Sequence, residues 1–267
     1  MIDLKRNSKF EFVKATGKRS RQSSIYTPNQ KEDFKISRSK FSDFLLCQRC
    51  FYLDRVKGLQ APGTPGWTLN ETTDLLLKRE FDECRKQQIP HRICIEYGLD
   101  HLIPFEHPDM DKWRDSLRHG LISRFKKTNI ILSGGVDDIW LDTRNEELVI
   151  VDYKSQASNY EPNQEFYLSS AYHNSYRIQM DFYAFLLKSM KFIVSPFSYF
   201  LVCNADRHAG GFYGKMTFSE TLIEYKHSTK WVPKEIKQMI NVMNSIELPD
   251  SNPSCKNCAY AQQRNNI

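Results

Sequence analysis

Short apolar runs mark the two clearest strands, in "IILSGGVDDIWL" (residues 130–141) and "ELVIVDYKS" (147–155), where Val149, Ile150 and Val151 read as buried. The polar "DTRNE" between them predicts that they join as an antiparallel hairpin. "FSYFLVCNA" (197–205) and "GFYGKMTF" (211–218) predict further strands, and "HRICIEYGL" (91–99) reads as another. Helical spacing takes over elsewhere. "SYRIQMDFYAFLLKSM" (175–190) is apolar enough for a core helix. In "ISRSKFSDFLLCQRCFYLDRVKGL" (36–59), Ser37 or Ser39 caps a helix that turns Phe41, Phe44 and Leu45 inward. "WTLNETTDLLLKREFDECRKQQ" (67–88) sets Leu69, Leu76, Leu77, Phe81 and Cys84 on one side and ends at Pro90. "VPKEIKQMINVMNSIEL" (232–248) has Pro233 in its first turn and Ile236, Ile240, Met243 and Ile246 inward. "MDKWRDSLRHGLISRFKKT" (110–128) repeats Trp113, Leu117, Leu121 and Phe125 at helical spacing, but Gly120 interrupts it. "APGTPG" (61–66) is a loop. Central strands with helices before and after them predict a single α/β domain.

Composition narrows the class. The chain has 267 residues, 40% hydrophobic and 13% aromatic, enough to build a sizeable core. No apolar run approaches the ~18 residues of a membrane span. The basic, polar start lacks an apolar signal core, so the expected location is cytoplasmic, with no membrane partner. Seven cysteines in that compartment argue against a disulfide framework. The net charge of +6 suits a polyanion partner. Residues 1–34 hold Lys5, Arg6, Lys9, Lys14, Lys18, Arg19, Arg21 and Lys31 among few apolar residues. They read as a basic, flexible segment ahead of a folded domain over 35–267.

The predicted hairpin carries chemistry. Asp152 and Lys154 are two apart on one strand, so they share a face, while Tyr153 points the other way. A plain ion pair would explain them, and so would half of a metal site. Asp137 and Asp138 follow two glycines on the partner strand, and only one of these neighbours can face Asp152. Carboxylates brought together repel unless a cation lies between them, and Mg2+ or Mn2+ prefers such oxygens. Lys154 would then orient water or stabilise charge on a phosphate.

"GGVDDIW", "VIVDYKS" and "QMDFY", in this order, resemble the RecB-like branch of the PD-(D/E)xK nuclease superfamily. That branch shows G-x-x-D, then D-Y-K, then Q-x-x-x-Y. The resemblance implies a restriction-endonuclease-like mixed sheet core flanked by helices. It selects Asp137 over Asp138 as metal ligand beside Asp152, and leaves Asp138 a supporting or surface contact. It gives Lys154 the catalytic cation, and it has Gln179 and Tyr183 orient that lysine and the DNA backbone. An early-helix ligand of the family falls on Asp74, with Glu71 as its rival. By the wheel of that helix, Lys78, Asp82 and Arg85 lie on its polar side.

Two C-x-x-C pairs, Cys47/Cys50 and Cys255/Cys258, have the spacing of a four-sulfur site for zinc or an iron–sulfur cluster. Cys84, Cys94 and Cys203 fall in apolar patterns as ordinary buried thiols. The opening "SRSKFSDFLLCQRCFYL" is similar to CRISPR-associated RecB-like nucleases and AddB-type nuclease domains, which hold a 4Fe-4S cluster with one cysteine here and three at the end. This chain has two and two. The expectation is a cysteine metal clasp joining the N- and C-terminal parts, with the cluster favoured and Zn2+ as the alternative.

The expected function is Mg2+- or Mn2+-dependent hydrolysis of DNA phosphodiesters, in repair, recombination or defence. No helicase motif is present, so any motor is a separate partner. A non-catalytic nucleic-acid-binding or complex-forming protein on the same fold is the rival, and a zinc-stapled structural protein with incidental acids is a third reading.

Overall fold

The computed structural model describes residues 4–63 and 66–266, so Thr64 and Pro65 of the expected loop lie outside the described residues. In chain order, β1 (Phe34–Ser37) leads into α1 (Arg38–Leu46) and α2 (Gln48–Arg55), and α3 (Thr68–Gln87) is followed by α4 (Arg92–Glu96). Then come β2 (Leu102–Pro104), α5 (Met110–Arg114), β3 (Leu121–Arg124), β4 (Ile130–Gly134), β5 (Asp138–Asp142) and β6 (Glu147–Gln156). The chain continues through α6 (Gln164–Ser169), α7 (Asn174–Ser189), β7 (Phe197–Ala205), β8 (Phe218–Lys226), α8 (Val232–Asn244) and α9 (Lys256–Asn265). Five strands form a mixed sheet of order β2-β5-β6-β7-β8, and three form a sheet of order β1-β4-β3. Among the described residues, no helix is long and apolar enough to cross a membrane.

The chain divides into two compact units. The first comprises Met1–Gly66, Arg124–Ile131 and Pro233–Ile267. Ser37 caps α1 by accepting the Lys40 N–H, and Phe41 and Phe44 are buried, while Leu45 is only partly so. The helix does not run on. Cys47 is extended and starts α2, where Phe51 and Tyr52 are buried. Tyr52 Oη donates to the Ser245 carbonyl at 2.9 Å and Tyr26 Oη to Asn244 Oδ1 at 2.9 Å, which docks the end of α8. On α8 the buried residues are Val232, Ile236, Met239 and Met243, a stripe rotated from the expected one. Ile240 is half-buried, and Ile246 is exposed beyond the helix end. Among the described residues of 4–34, the basic segment makes two isolated bridges, Arg6 with Phe12 and Lys18 with Leu59.

The second unit comprises Trp67–Ser123 and Leu132–Val232 and contains the five-stranded sheet. β5 and β6 form the expected antiparallel hairpin, with Asp138 opposite Val151 and Asp142 opposite Glu147. β6 and β7 pair in parallel, which requires a crossover, and α6 and α7 supply it. One face of the sheet, with Trp140, Val149, Val151, Tyr153 and Leu201, packs on Leu77 and Phe81 of α3. Phe81 stacks on Trp140 at 5.3 Å and on Tyr153 at 5.6 Å. Leu69 and Leu76 are exposed, and Arg85 takes the next buried place on that stripe.

Three expectations change here. "HRICIEYGL" contains the short helix α4, capped by His91 and stopped by Gly98 at φ +67°. Buried Ile93 and Cys94 are neighbours, which an alternating strand does not allow. The stretch at 110–128 splits into α5 and β3, because Gly120 sits at φ +81° and a Cβ there would lie 2.7 Å from the Gly134 carbonyl oxygen. The strand expected at 211–218 begins only at Phe218, after Tyr213 and Gly214 turn the chain with positive φ.

His227 is buried with neither ring nitrogen hydrogen-bonded. Burial, aided by the Lys188 charge, pushes its pKa down to about 4. A base depressed on folding contributes stability that is complete above its unfolded pKa of about 6.5 and lost as pH falls towards 4. Stability should therefore fall over that window by up to about 1.4 kcal/mol per pH unit from this residue. His227→Leu should flatten the slope in urea titrations at pH 4 to 7, and unchanged slopes would refute the assignment.

Candidate active site

The hairpin of β5 and β6 carries the acids. The glycines before it are set by space, since a Cβ on Gly135 would lie 2.5 Å from the Ser116 Cβ. Asp137 follows after Val136, and its Oδ2 accepts the Tyr153 N–H at 2.9 Å. Asp152 is fully buried on the face away from α3, where Gln179 of α7 donates to its Oδ1 at 2.5 Å. Its Oδ2 has no hydrogen bond and pairs with the Lys154 ammonium. Burial pushes the Asp152 carboxyl up, Lys154 opposes that, and the adjoining Asp137 adds to it, leaving it at about 7. Burial also raises Asp74, with the Asp137 charge next in importance, against Lys78 at 2.8 Å and Lys154.

Lys154 lies over the Tyr176 ring at 4.6 Å. Burial pulls its pKa down, but Asp152 and then Asp137 outweigh this and raise it, so the side chain stays an ammonium. Gln179 reaches Asp152 and, at 3.2 Å, the Tyr183 hydroxyl, one helical turn along. Tyr183 is buried in the core side of α7. The structure thus gathers Asp74, Asp137, Asp152, Lys154 and Gln179, joins Tyr183 to them through Gln179, and leaves Glu71 exposed.

Asp138 faces the opposite way and is fully buried, which excludes a surface contact. It accepts from the Tyr153 hydroxyl at 2.9 Å and pairs with Arg114 at 2.9 Å and with Arg85. Asp82 bridges the same two arginines, with Arg114 at 2.7 Å. Tyr153 therefore holds both aspartates, Asp137 through its N–H and Asp138 through its hydroxyl. Nothing in the local sequence gives Tyr153, Tyr176, Arg85 or Arg114 a role. One signal was present: Arg85 continues the Leu77–Phe81 stripe at i+4, so it lies on the buried side and not on the polar one.

The donor set fits a hard divalent cation. It is made of carboxylates, two of which abut, and one buried carboxylate oxygen lacks a hydrogen bond. The acids approach in pairs, since among the described residues only the four cysteines form a ligand group with all atoms within 4.8 Å. A profile of the PD-(D/E)XK nuclease superfamily matches residues 69–263. The chain belongs to that superfamily. PD-(D/E)XK nucleases use divalent metals. Among solved structures, a candidate exonuclease from Eubacterium rectale is similar at 14% identity and a TM-score of 0.43, over 86% of this chain and 88% of its own. No curated protein matches the chain.

Proposed function

We propose that this nuclease is of the RecB-like branch and hydrolyses DNA phosphodiester bonds with Mg2+ or Mn2+. The observation that carries the reading is the abutting pair Asp137 and Asp152 with Lys154 on the same strand tip. Asp137 and Asp152 would hold the ion, with Asp74 as the further carboxylate. When bound, the ion supplies Lewis-acid stabilisation of a phosphate and makes water more acidic. Lys154 offers a fixed positive charge to the phosphate or to the attacking water. Gln179 holds Asp152 in place by its amide, and Tyr183 holds Gln179. DNA as substrate rests on the motif order and on the net charge of +6. A cytoplasmic setting, a role in repair, recombination or defence, and a separate motor partner are part of the same proposal.

The test is incubation of purified protein with single-stranded DNA, double-stranded DNA and RNA, each with Mg2+ or Mn2+ and with chelator. DNA cleavage that chelator stops is expected. Binding to DNA without cleavage under all metals would favour the non-catalytic reading instead.

Aromatic rings extend from Lys154 towards solvent. Tyr172 is 78% exposed and meets Tyr176 edge-on at 6.4 Å, and Tyr176 lies under Lys154. Exposed rings beside a cation can stack unpaired bases, at about 1–3 kcal/mol per base. Tyr172→Ala should weaken binding of single-stranded oligonucleotides by roughly 5- to 100-fold on that scale. Its melting temperature should hold, since the ring is exposed. Unchanged affinity would remove Tyr172 from the substrate track.

A further inference from the structure

The four paired cysteines gather in the first unit. Their sulfurs all lie within 4.8 Å of one another. Cys47 Sγ is 3.8 Å from Cys258 Sγ, and Cys50 Sγ is 3.5 Å from Cys255 Sγ and 3.4 Å from Cys258 Sγ. All four are free thiols, and their separations far exceed the ~2.05 Å of a disulfide. Packing does not account for the group, because Cys50, Cys255 and Cys258 are only partly buried.

The two pairs are presented alike. Cys47 is the N-cap of α2 and Cys50 lies in its first turn, while Cys255 is the N-cap of α9 and Cys258 lies in its first turn. Each pair therefore sits at a helix start, where unpaired N–H groups favour thiolates. The backbone N–H groups of Cys50 and Asn252 also point at the Cys47 sulfur. Asn252 fixes the turn before α2 by donating its side-chain amide to the Leu46 carbonyl at 2.8 Å. Hydrogen bonds of this kind orient and charge-balance ligand sulfurs around a metal.

Distance decides the kind of centre. Four thiolates around one ion at a Zn–S length of about 2.3 Å stand ~3.8 Å apart, the edge of that tetrahedron. Sulfur separations of 3.4 to 3.8 Å match this. A four-iron cluster binds each thiolate to a different iron and points it outward from the corner of a cube. Its sulfurs are then separated by an iron–iron edge plus two outward bonds, well beyond the 4.8 Å that encloses all four here. The two-plus-two division over two helix starts also differs from the one-plus-three division of the cluster-bearing relatives. The cysteines do not fit the cluster.

We propose that Cys47, Cys50, Cys255 and Cys258 bind a single zinc ion tetrahedrally, closing the first unit as a structural site, and that this chain carries no iron–sulfur cluster. A closed four-thiolate site leaves no position for substrate, so the ion has no part in hydrolysis.

The full chain, expressed with both iron and zinc supplied and purified anaerobically without chelator, decides this by metal and sulfide analysis alone. About one zinc per chain is expected, with no iron, no acid-labile sulfide and no visible absorption. Growth with cobalt should give the visible bands of a tetrahedral cobalt–thiolate centre. Cys47→Ser and Cys255→Ser should each lose most of the zinc and lower the melting temperature. Iron with sulfide would overturn the proposal in favour of a cluster. Iron without sulfide would overturn the choice of metal, and a metal-free wild-type protein would overturn the site. The metal and sulfide readings on the wild-type chain depend neither on nuclease activity nor on the variants folding.

Discussion

Asp152→Asn is expected to lose metal-dependent cleavage by about 10³-fold or more, the scale of removing a charge that acts in the transition state. The amide keeps the shape of the carboxylate and its one oxygen can still accept from Gln179, while its NH2 replaces the oxygen that paired with Lys154, so the fold should survive. Without metal the variant should melt at or above the wild type. The wild-type carboxyl is raised to about 7 by burial, so at pH 8 the folded state carries a buried charge that the unfolded state solvates freely. With millimolar Mn2+ the order should reverse, because only the wild type gains stability from the bound ion. Lys154→Ala and Asp137→Ala should be comparably inactive. Cleavage by Asp152→Asn at the wild-type rate with the same metal would show that the site has been placed on the wrong acids.

Asp138→Ala should fail differently, through the fold. The carboxylate is the common acceptor of Arg85, Arg114 and the Tyr153 hydroxyl, and it also takes the Ile139 N–H at 2.8 Å. Its removal leaves two guanidinium groups without their buried counter-charge, a loss of roughly 3–5 kcal/mol. For a chain of this size that is roughly 6–20 °C in melting temperature. Asp138→Leu together with Arg85→Met should recover part of the loss, because the uncompensated charge goes with it. A single Asp138→Ala variant that melts within a degree of wild type would show that the network contributes nothing. The two adjacent aspartates would then differ neither in burial energetics nor in role.

How much of this was legible follows the range of the interactions. The β5–β6 hairpin could be read because its paired residues lie at most 13 positions apart, and α7 because its apolar run is long. The cysteine spacing announced a four-sulfur group, although not which metal its sulfurs fit, since that depends on distances set by two helix starts far apart in sequence. Arg85 misled because a charged residue on a wheel is assigned to water, while its partner Asp138 lies 53 residues on and is invisible to any local window. β8 was mostly missed for a related reason: Ser219, Glu220 and Thr221 look like loop, and only nine cross-strand pairs with β7 make them strand. Asp74 was singled out only by resemblance. What sets it apart from Glu71 is the Asp137 charge beside it, a relation between a helix and a hairpin.

The first unit is assembled from three separated lengths of chain, and this imposes an order on its biosynthesis. Every residue of the second unit has been made once Val232 is added, while α8 and α9 are still to come. Cys50 waits for Cys255 across 205 residues, roughly 10–40 s at ordinary elongation rates. During that interval α1 and α2 lack the helix end that Tyr52 and Tyr26 hold, and the first sulfur pair faces the cell with half a coordination sphere. The part of the molecule that begins the sequence is therefore the last to mature, and its thiols are open to oxidation for as long as a ribosome is delayed before residue 255.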